Sequence, residues 1–351
     1  MAVLTLTCCW IGRGDARQDA ASMSIFDARR EPSLESSGNQ KSYYAAVFIN
    51  RGHVSGGGSP NIGLFKRSSP NDTVWANIYR PNLLTFGFES WGNGPSSRFY
   101  VAAGNGLHRS LDGKRTWRIL TDWHTEELLS VSLDPVDSAV IYAGTPSGLF
   151  KSTNDGATWL RKTEGLKKQF VKMIVVDKSN RASLLAAAED DLYRTTDAGE
   201  HWMPLHVGVS GILTVLQPAS NPKRLLVGTE DDGVRLSEDG GKTWKPGKGL
   251  PSTAIYSICL SSNRRTFFAG GYRTGLWRSY NGGTSWSPVW QSPDLEAIFA
   301  IFVDPDNSRH LMVGTSGQGI YESLDAGKTW HFAGLRGCHV KQIALYPEQR
   351  P

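Results

Sequence analysis

The chain has 351 residues, with 38 Lys and Arg against 33 Asp and Glu, a formal net charge of +5. So small an excess excludes a nucleic-acid binder working through a massed basic face. A hydrophobic share of 39% with 20% charged residues excludes a disordered chain, and no apolar run approaches the roughly 20 residues that span a bilayer as a helix. Glycine (38) and tryptophan (12) are in surplus.

In chain order, Ala2–Ile11 is a short apolar stretch containing Cys8 and Cys9, with no Lys or Arg before it. Its length suits the apolar part of an export signal, but the basic start is missing. A degenerate signal and an incidental apolar start both remain open. The polar residues that follow lack periodicity, so 1–41 is expected to be an apolar start with a flexible leader.

From Tyr43 onward the sequence repeats. Six segments share one pattern: Ser110–Trp117, Ser152–Trp159, Thr195–Trp202, Ser237–Trp244, Ser279–Trp286 and Ser323–Trp330. Their tryptophans are 42, 43, 42, 42 and 44 residues apart, and another step of 42 back reaches Trp75, in a degenerate seventh copy. Upstream of each tryptophan lie three short β-branched and aromatic segments, as in Leu128–Pro135, Ala139–Thr145 and Gly148–Ser152. Four strands in a unit of about 40–45 residues predict a β-propeller blade. In the S-x-D-x-G-x-T-W turn, Asp112, Asn154, Asp197, Asp239, Asn281 and Asp325 are expected to hydrogen-bond their own backbone. The glycine two residues on takes a positive φ. Trp117, Trp159, Trp202, Trp244, Trp286 and Trp330 are expected to pack between neighbouring sheets.

These turns resemble the Asp-box (BNR) repeats of sialidases, sortilin-type receptors, xyloglucan-active glycosidases and photosystem II assembly and stability factors. The resemblance covers roughly residues 43–347 and specifies fold far better than function. Lys114, His201, Asn154 and Asn281 depart from the usual box. The expected fold is all-β, a single seven-bladed propeller over 42–351. The segment at Tyr43–Ile49 matches a second strand and His339–Pro347 matches a first strand. The C-terminal strand should therefore complete blade one and close the ring. That places Cys338 and Cys259 two blades apart, where no bond between them is expected, and no Cys or His spacing suggests zinc.

Candidate binding residues fall on the loops of the face opposite the repeated turns. They are Arg51 and His53 in a long Gly-rich loop, Trp123 and His124, and the acidic runs Glu189-Asp190-Asp191 and Glu230-Asp231-Asp232. Tyr272 and Arg273 complete the set, with Arg161, Lys162, Lys167, Lys168 and Phe170 as a basic and aromatic group nearby. Each also has a plain reading as solvated surface. Paired carboxylates would suit glycoside cleavage, but Tyr79-Arg80-Pro81 lacks the isoleucine of the sialidase motif, and one propeller is half of a two-propeller xyloglucanase cleft. No catalytic residues, metal ligands or cofactor site are assigned. The sequence therefore points to a non-catalytic scaffold, monomeric and extracytoplasmic, that binds a protein or a glycan and no nucleic acid. A glycoside hydrolase is the alternative.

Overall fold

The repeat unit folds as four antiparallel strands because each apolar segment is only four to six residues long and ends in Gly, Pro, Asp or Ser. The computed structural model describes residues 41–50, 62–69, 72–79, 83–92, 97–122, 127–209 and 211–347. Apart from Lys41, which begins the first strand, the expected leader lies outside them, as do Arg51, His53, Trp123 and His124. Among the described residues there is no helix, and every strand belongs to one of seven four-stranded sheets. Blade four shows the plan: Val171–Val176 innermost, then Leu184–Ala188, Leu192–Thr195 and Met203–Pro204.

The ring closes as the sequence predicts. The last strand, Cys338–Pro347, pairs antiparallel with the first, Lys41–Asn50, from Lys41 opposite Pro347 to Asn50 opposite Cys338. Blade one is thus built from both ends of the propeller, and Cys259 and Cys338 are free thiols.

The second strand of most blades is buried at every position, as in Ile141–Thr145, Leu225–Thr229 and Leu311–Thr315. It is flanked within its own sheet and covered by adjacent blades on both faces. Tyr142 and Leu149 of blade three, for example, pack on Val171 and Ile174 of blade four beneath Trp202. The repeated glycine near the end of this strand permits that approach. A Cβ on Gly314 would lie 2.7 Å from Val340, and one on Gly270 would lie 2.8 Å from Ile298.

In the repeated turn, Ser237 Oγ donates to Asp239 Oδ1 and accepts from Gly241 N, both at 2.8 Å. Asp239 accepts from Thr243 N at 3.0 Å and from its hydroxyl at 2.6 Å. The departures keep this geometry. His201 Nδ1 stands 2.7 Å from Asp197 in place of the threonine hydroxyl. Asn154 and Asn281 reverse the bond, donating to Thr158 and Ser285 at 2.8 Å. The Asp112 carboxyl is held down to about 2, chiefly by the Thr116 hydroxyl and amide. Trp159, Trp202 and Trp244 donate their indole N–H to carbonyls of the preceding blade, at 2.9–3.0 Å.

Candidate functional site

Seven inner strands leave an open edge facing a central channel of about 900 Å³. Main-chain groups on such an edge need partners, and polar side chains of neighbouring blades supply several. The Gln342 amide bridges Phe88 N at 2.8 Å and Phe88 O at 2.9 Å. Glu89 accepts from Leu133 N at 3.1 Å, Ser132 donates to Ile174 O at 2.9 Å, and Ser257 accepts from Ile301 N at 3.1 Å.

Near its start, the inner strand carries a β-bulge in blades two, four, five, six and seven. The register slips between Thr85 and Gly87, Val171 and Met173, Ile212 and Thr214, Ile255 and Ser257, and Ile298 and Ala300. A bulge leaves one residue outside the ladder and re-aims its side chain. The residues so displaced are Phe86, Lys172, Leu213, Tyr256 and Phe299, and all of them line the channel. In blade one, the two slips between the closing strands omit Lys341 and Phe48, which also line it. Blade three contributes Leu129. One repeated backbone irregularity thus places a non-repeating set of side chains at one end of the channel.

Half of that set is a continuous aromatic arc. Phe86 and Phe48 have centroids 4.9 Å apart, and Phe299 and Tyr256 are 4.7 Å apart. Lys341 joins the two pairs, its ammonium 4.2 Å from the Phe299 centroid and 5.5 Å from that of Phe48. Burial and then the charge of Lys172 push the Lys341 ammonium down to about 8. Burial also lowers Lys172, against the opposing pull of Glu230. Further along the channel, burial raises the Glu89 carboxyl to about 7, outweighing Lys178 and the Leu133 hydrogen bond.

The residues expected from sequence divide. Asp191 is buried, and its carboxylate accepts from Leu192 N at 2.8 Å, Val207 N at 3.1 Å and His206 N at 3.0 Å. Asp190 accepts from the Tyr193 hydroxyl at 2.8 Å, and Asp232 pairs with Arg235. These three hold their own loops, so Glu189, Glu230 and Asp231 are the exposed acids of the two runs. Tyr272 is exposed, with the Arg273 guanidinium 5.2 Å over its ring. The basic and aromatic group is not gathered: Lys162 pairs with Glu200 in the next blade's turn at 2.5 Å, while Phe170 lines the channel. The bulged ring was missed because it breaks the alternation that marks a strand. Its signal was the residue after the first buried position of each inner strand, where a repeating site carries Phe, Lys, Leu or Tyr in turn.

Among the described residues lining the channel there is no arginine, and among all described residues no group of three or more His, Cys, Asp or Glu could hold a metal ion.

The sequence profile of the DUF6242 beta propeller domain matches residues 136–336. No curated protein sequence matches the chain. The solved GH74 xyloglucanase from Xanthomonas campestris aligns with a TM-score of 0.65 at 15% identity, over 89% of this chain and 53% of its own. The extracellular domain of the one component system BT4673 from B. thetaiotaomicron gives 0.62 at 18% identity, over 80% of this chain and 38% of its own. YCF48, solved bound to D1 peptide, gives 0.54 at 15% identity, over 76% of this chain and 92% of its own. The chain spans about half of the xyloglucanase and under two fifths of the BT4673 domain. What they share with it is the propeller.

Proposed function

The chain belongs to the DUF6242 beta propeller domain family, and within it we propose a non-catalytic interaction scaffold that binds a protein partner at the loop-bearing end of the channel. The carrying observation is the bulged ring, which sets aromatic and cationic side chains where the rest of the blade merely repeats. Aromatic residues with few, well-placed charges are the composition of binding hot spots. YCF48, of the same architecture, has been solved with a peptide, which supports peptide binding as one use of this fold. The turn geometry supports reading the six boxes as Asp-box repeats. The reading includes residues 1–41 as a leader, 42–351 as a monomeric propeller, and an extracytoplasmic site of action. The BT4673 domain, itself extracellular, lends support to the last.

A second reading, glycoside hydrolysis, is favoured by Glu89, whose carboxyl at about 7 has the poise of a general acid. Cleavage needs a second free carboxylate. Asp134 also borders the channel, but it accepts from Val136 N and Asp137 N at 2.9 Å and pairs with Arg181 at 2.8 Å.

The test is capture of partners from the native source, followed by crosslinking mass spectrometry of the complex. Crosslinks at the bulged end of the channel are expected. Crosslinks confined to the outer strands would remove the assigned face, and hydrolysis of a fluorogenic sialoside or of xyloglucan would overturn the non-catalytic reading.

A further inference from the structure

We infer that the channel mouth between Lys172 and Lys341 receives a peptide carboxylate flanked by apolar residues. The inference rests on the protein-binding reading above and names the ligand of that same face.

The two lysines stand on blades four and one, at corresponding bulges, and both line the channel. The charge of Lys172 reaches Lys341 across the channel and helps to lower it. Among the described residues, no carboxylate acts on Lys341, and Glu230 is the one that acts on Lys172. Two ammonium groups turned into one half-buried opening call for an anion to offset their repulsion. A carboxylate does so with charge-assisted hydrogen bonds, which are about twice as strong as neutral ones.

What surrounds the lysines narrows the class. Phe48, Phe86, Phe299 and Leu213 offer apolar surface, and Tyr256 adds one hydroxyl. At this bulged end an acidic sugar would bury several hydroxyls against mostly apolar side chains, and each one left unpaired weakens binding. An apolar peptide buries side chains that need no partner. The exposed acids Glu189, Glu230 and Asp231 on the loops of blades four and five disfavour an extended polyanion and tolerate a single carboxylate set deep between the lysines.

The test is selection of random octapeptides, displayed with free C-termini, on the full chain. Enriched peptides should carry a carboxylate beside Leu or Phe. Their affinity by fluorescence anisotropy should fall about tenfold or more for Lys172→Met and for Lys341→Met, and several-fold for Phe299→Ala, with melting temperatures that show each variant folded. Comparing each peptide as free acid and as C-terminal amide tells a chain-end carboxylate from a side-chain one, and either supports the inference. Enriched peptides indifferent to all three variants but lost on Tyr272→Ala would overturn this site and leave the protein-binding reading standing. Failure to enrich any peptide overturns the inference. Uptake of acidic oligosaccharides instead, in a parallel panel, would overturn the protein-binding reading as well.

Discussion

Arg67 of blade one grips Glu322 of blade seven through both terminal guanidinium nitrogens, at 2.7 and 3.0 Å, with both side chains buried. The pair spans the seam between blade seven and blade one, the blade in which the two ends of the propeller pair to close the ring. Arg67 also lies 4.9 Å from the Tyr43 ring centroid and 5.1 Å from that of Trp75. A buried ion pair contributes little net stability, whereas removing one partner strands the other charge at a cost of about 3–5 kcal/mol. Arg67→Met should therefore lower unfolding stability by about that much, and Arg67→Met with Glu322→Met should recover most of the loss. Denaturant titrations of the three proteins decide it. Additive losses would mean that the pair is not coupled.

The same seam is tuned by pH. His310 stands between Glu322, 2.6 Å from its Nε2, and Asp304, 3.0 Å from its Nδ1. Burial alone would lower the imidazole, but hydrogen bonds to Glu322 and Asp304 outweigh it and hold the group above 6.5. Burial would likewise raise Glu322, but His310 and Arg67 hold it below 4.5. The His310 contribution is complete below 6.5 and is lost as pH rises through its raised value. The Glu322 contribution is complete above 4.5 and is lost as pH falls through its lowered value. The seam is thus strongest between 4.5 and 6.5. The melting temperature of the wild type should fall relative to His310→Gln as pH climbs from about 6 to 9, and parallel curves would refute the coupling.

Repetition made the architecture legible. Seven tryptophans in register fixed the blade count, and a first-strand pattern at His339–Pro347 matching the second-strand pattern at Tyr43–Ile49 implied closure. The seam was invisible for the converse reason: Arg67 and Glu322 are 255 residues apart and occur once each. The channel ring was invisible because a bulge is a property of hydrogen-bond register, and Lys172 reads in sequence as an ordinary outward position of an alternating strand. Asp191 looked like rim surface because its run is acidic. Only the left-handed His206 (φ 49°) brings the two amides back onto its carboxylate.

Lys114 occupies a left-handed position (φ 73°) that glycine fills in the other five boxes. Such a backbone costs a residue with a Cβ about 1 kcal/mol. Its ammonium, however, lies 4.8 Å from the Tyr44 centroid and 4.7 Å from that of Phe99, a contact that glycine cannot make. Lys114→Ala keeps the strain and loses the contact, and should cost about 1 kcal/mol. Lys114→Gly loses both and should be nearly neutral. Thermal melts that rank alanine level with glycine would show that the backbone here is unstrained.

Glu89 makes a different pH signature. Its carboxyl titrates at about 7 in the folded chain against 4.5 ordinarily. The folded state therefore holds the extra proton in that window, and the contribution to stability is complete below 4.5 and lost as pH rises through 7. Glu89→Gln keeps an acceptor for Leu133 N and carries no charge. It should match the wild type near pH 4.5 and exceed it at pH 8 by about 3 kcal/mol. Denaturant unfolding at the two pH values checks this, and an equal gap at both would place the carboxyl in ordinary solvent. Were Glu89 a glycosidic acid, the same variant would abolish hydrolysis.

Lys341 couples stability to ligand in opposite directions. Its ammonium, dehydrated by burial and repelled by Lys172, titrates at about 8 when folded against 10.5 ordinarily. Between those values the unfolded chain keeps a proton that the folded chain has released, so this group's contribution to stability rises with pH across the window. A bound carboxylate needs the ammonium, so affinity should fall as pH passes 8. The charged groups around Lys341 leave that sign intact: Lys172 is itself lowered by burial, and Tyr256 is raised by it. At pH 7 the apolar variant Lys341→Met should melt above the wild type, with the difference closing by about pH 10. Affinity of the wild type for a carboxylate peptide should drop about fivefold or more between pH 7 and 9, while the residual affinity of Lys341→Met, resting on Lys172 alone, should fall by less. A melting gap that ignores pH would mean that Lys341 is hydrated, and the mouth would then offer one desolvated cation rather than two.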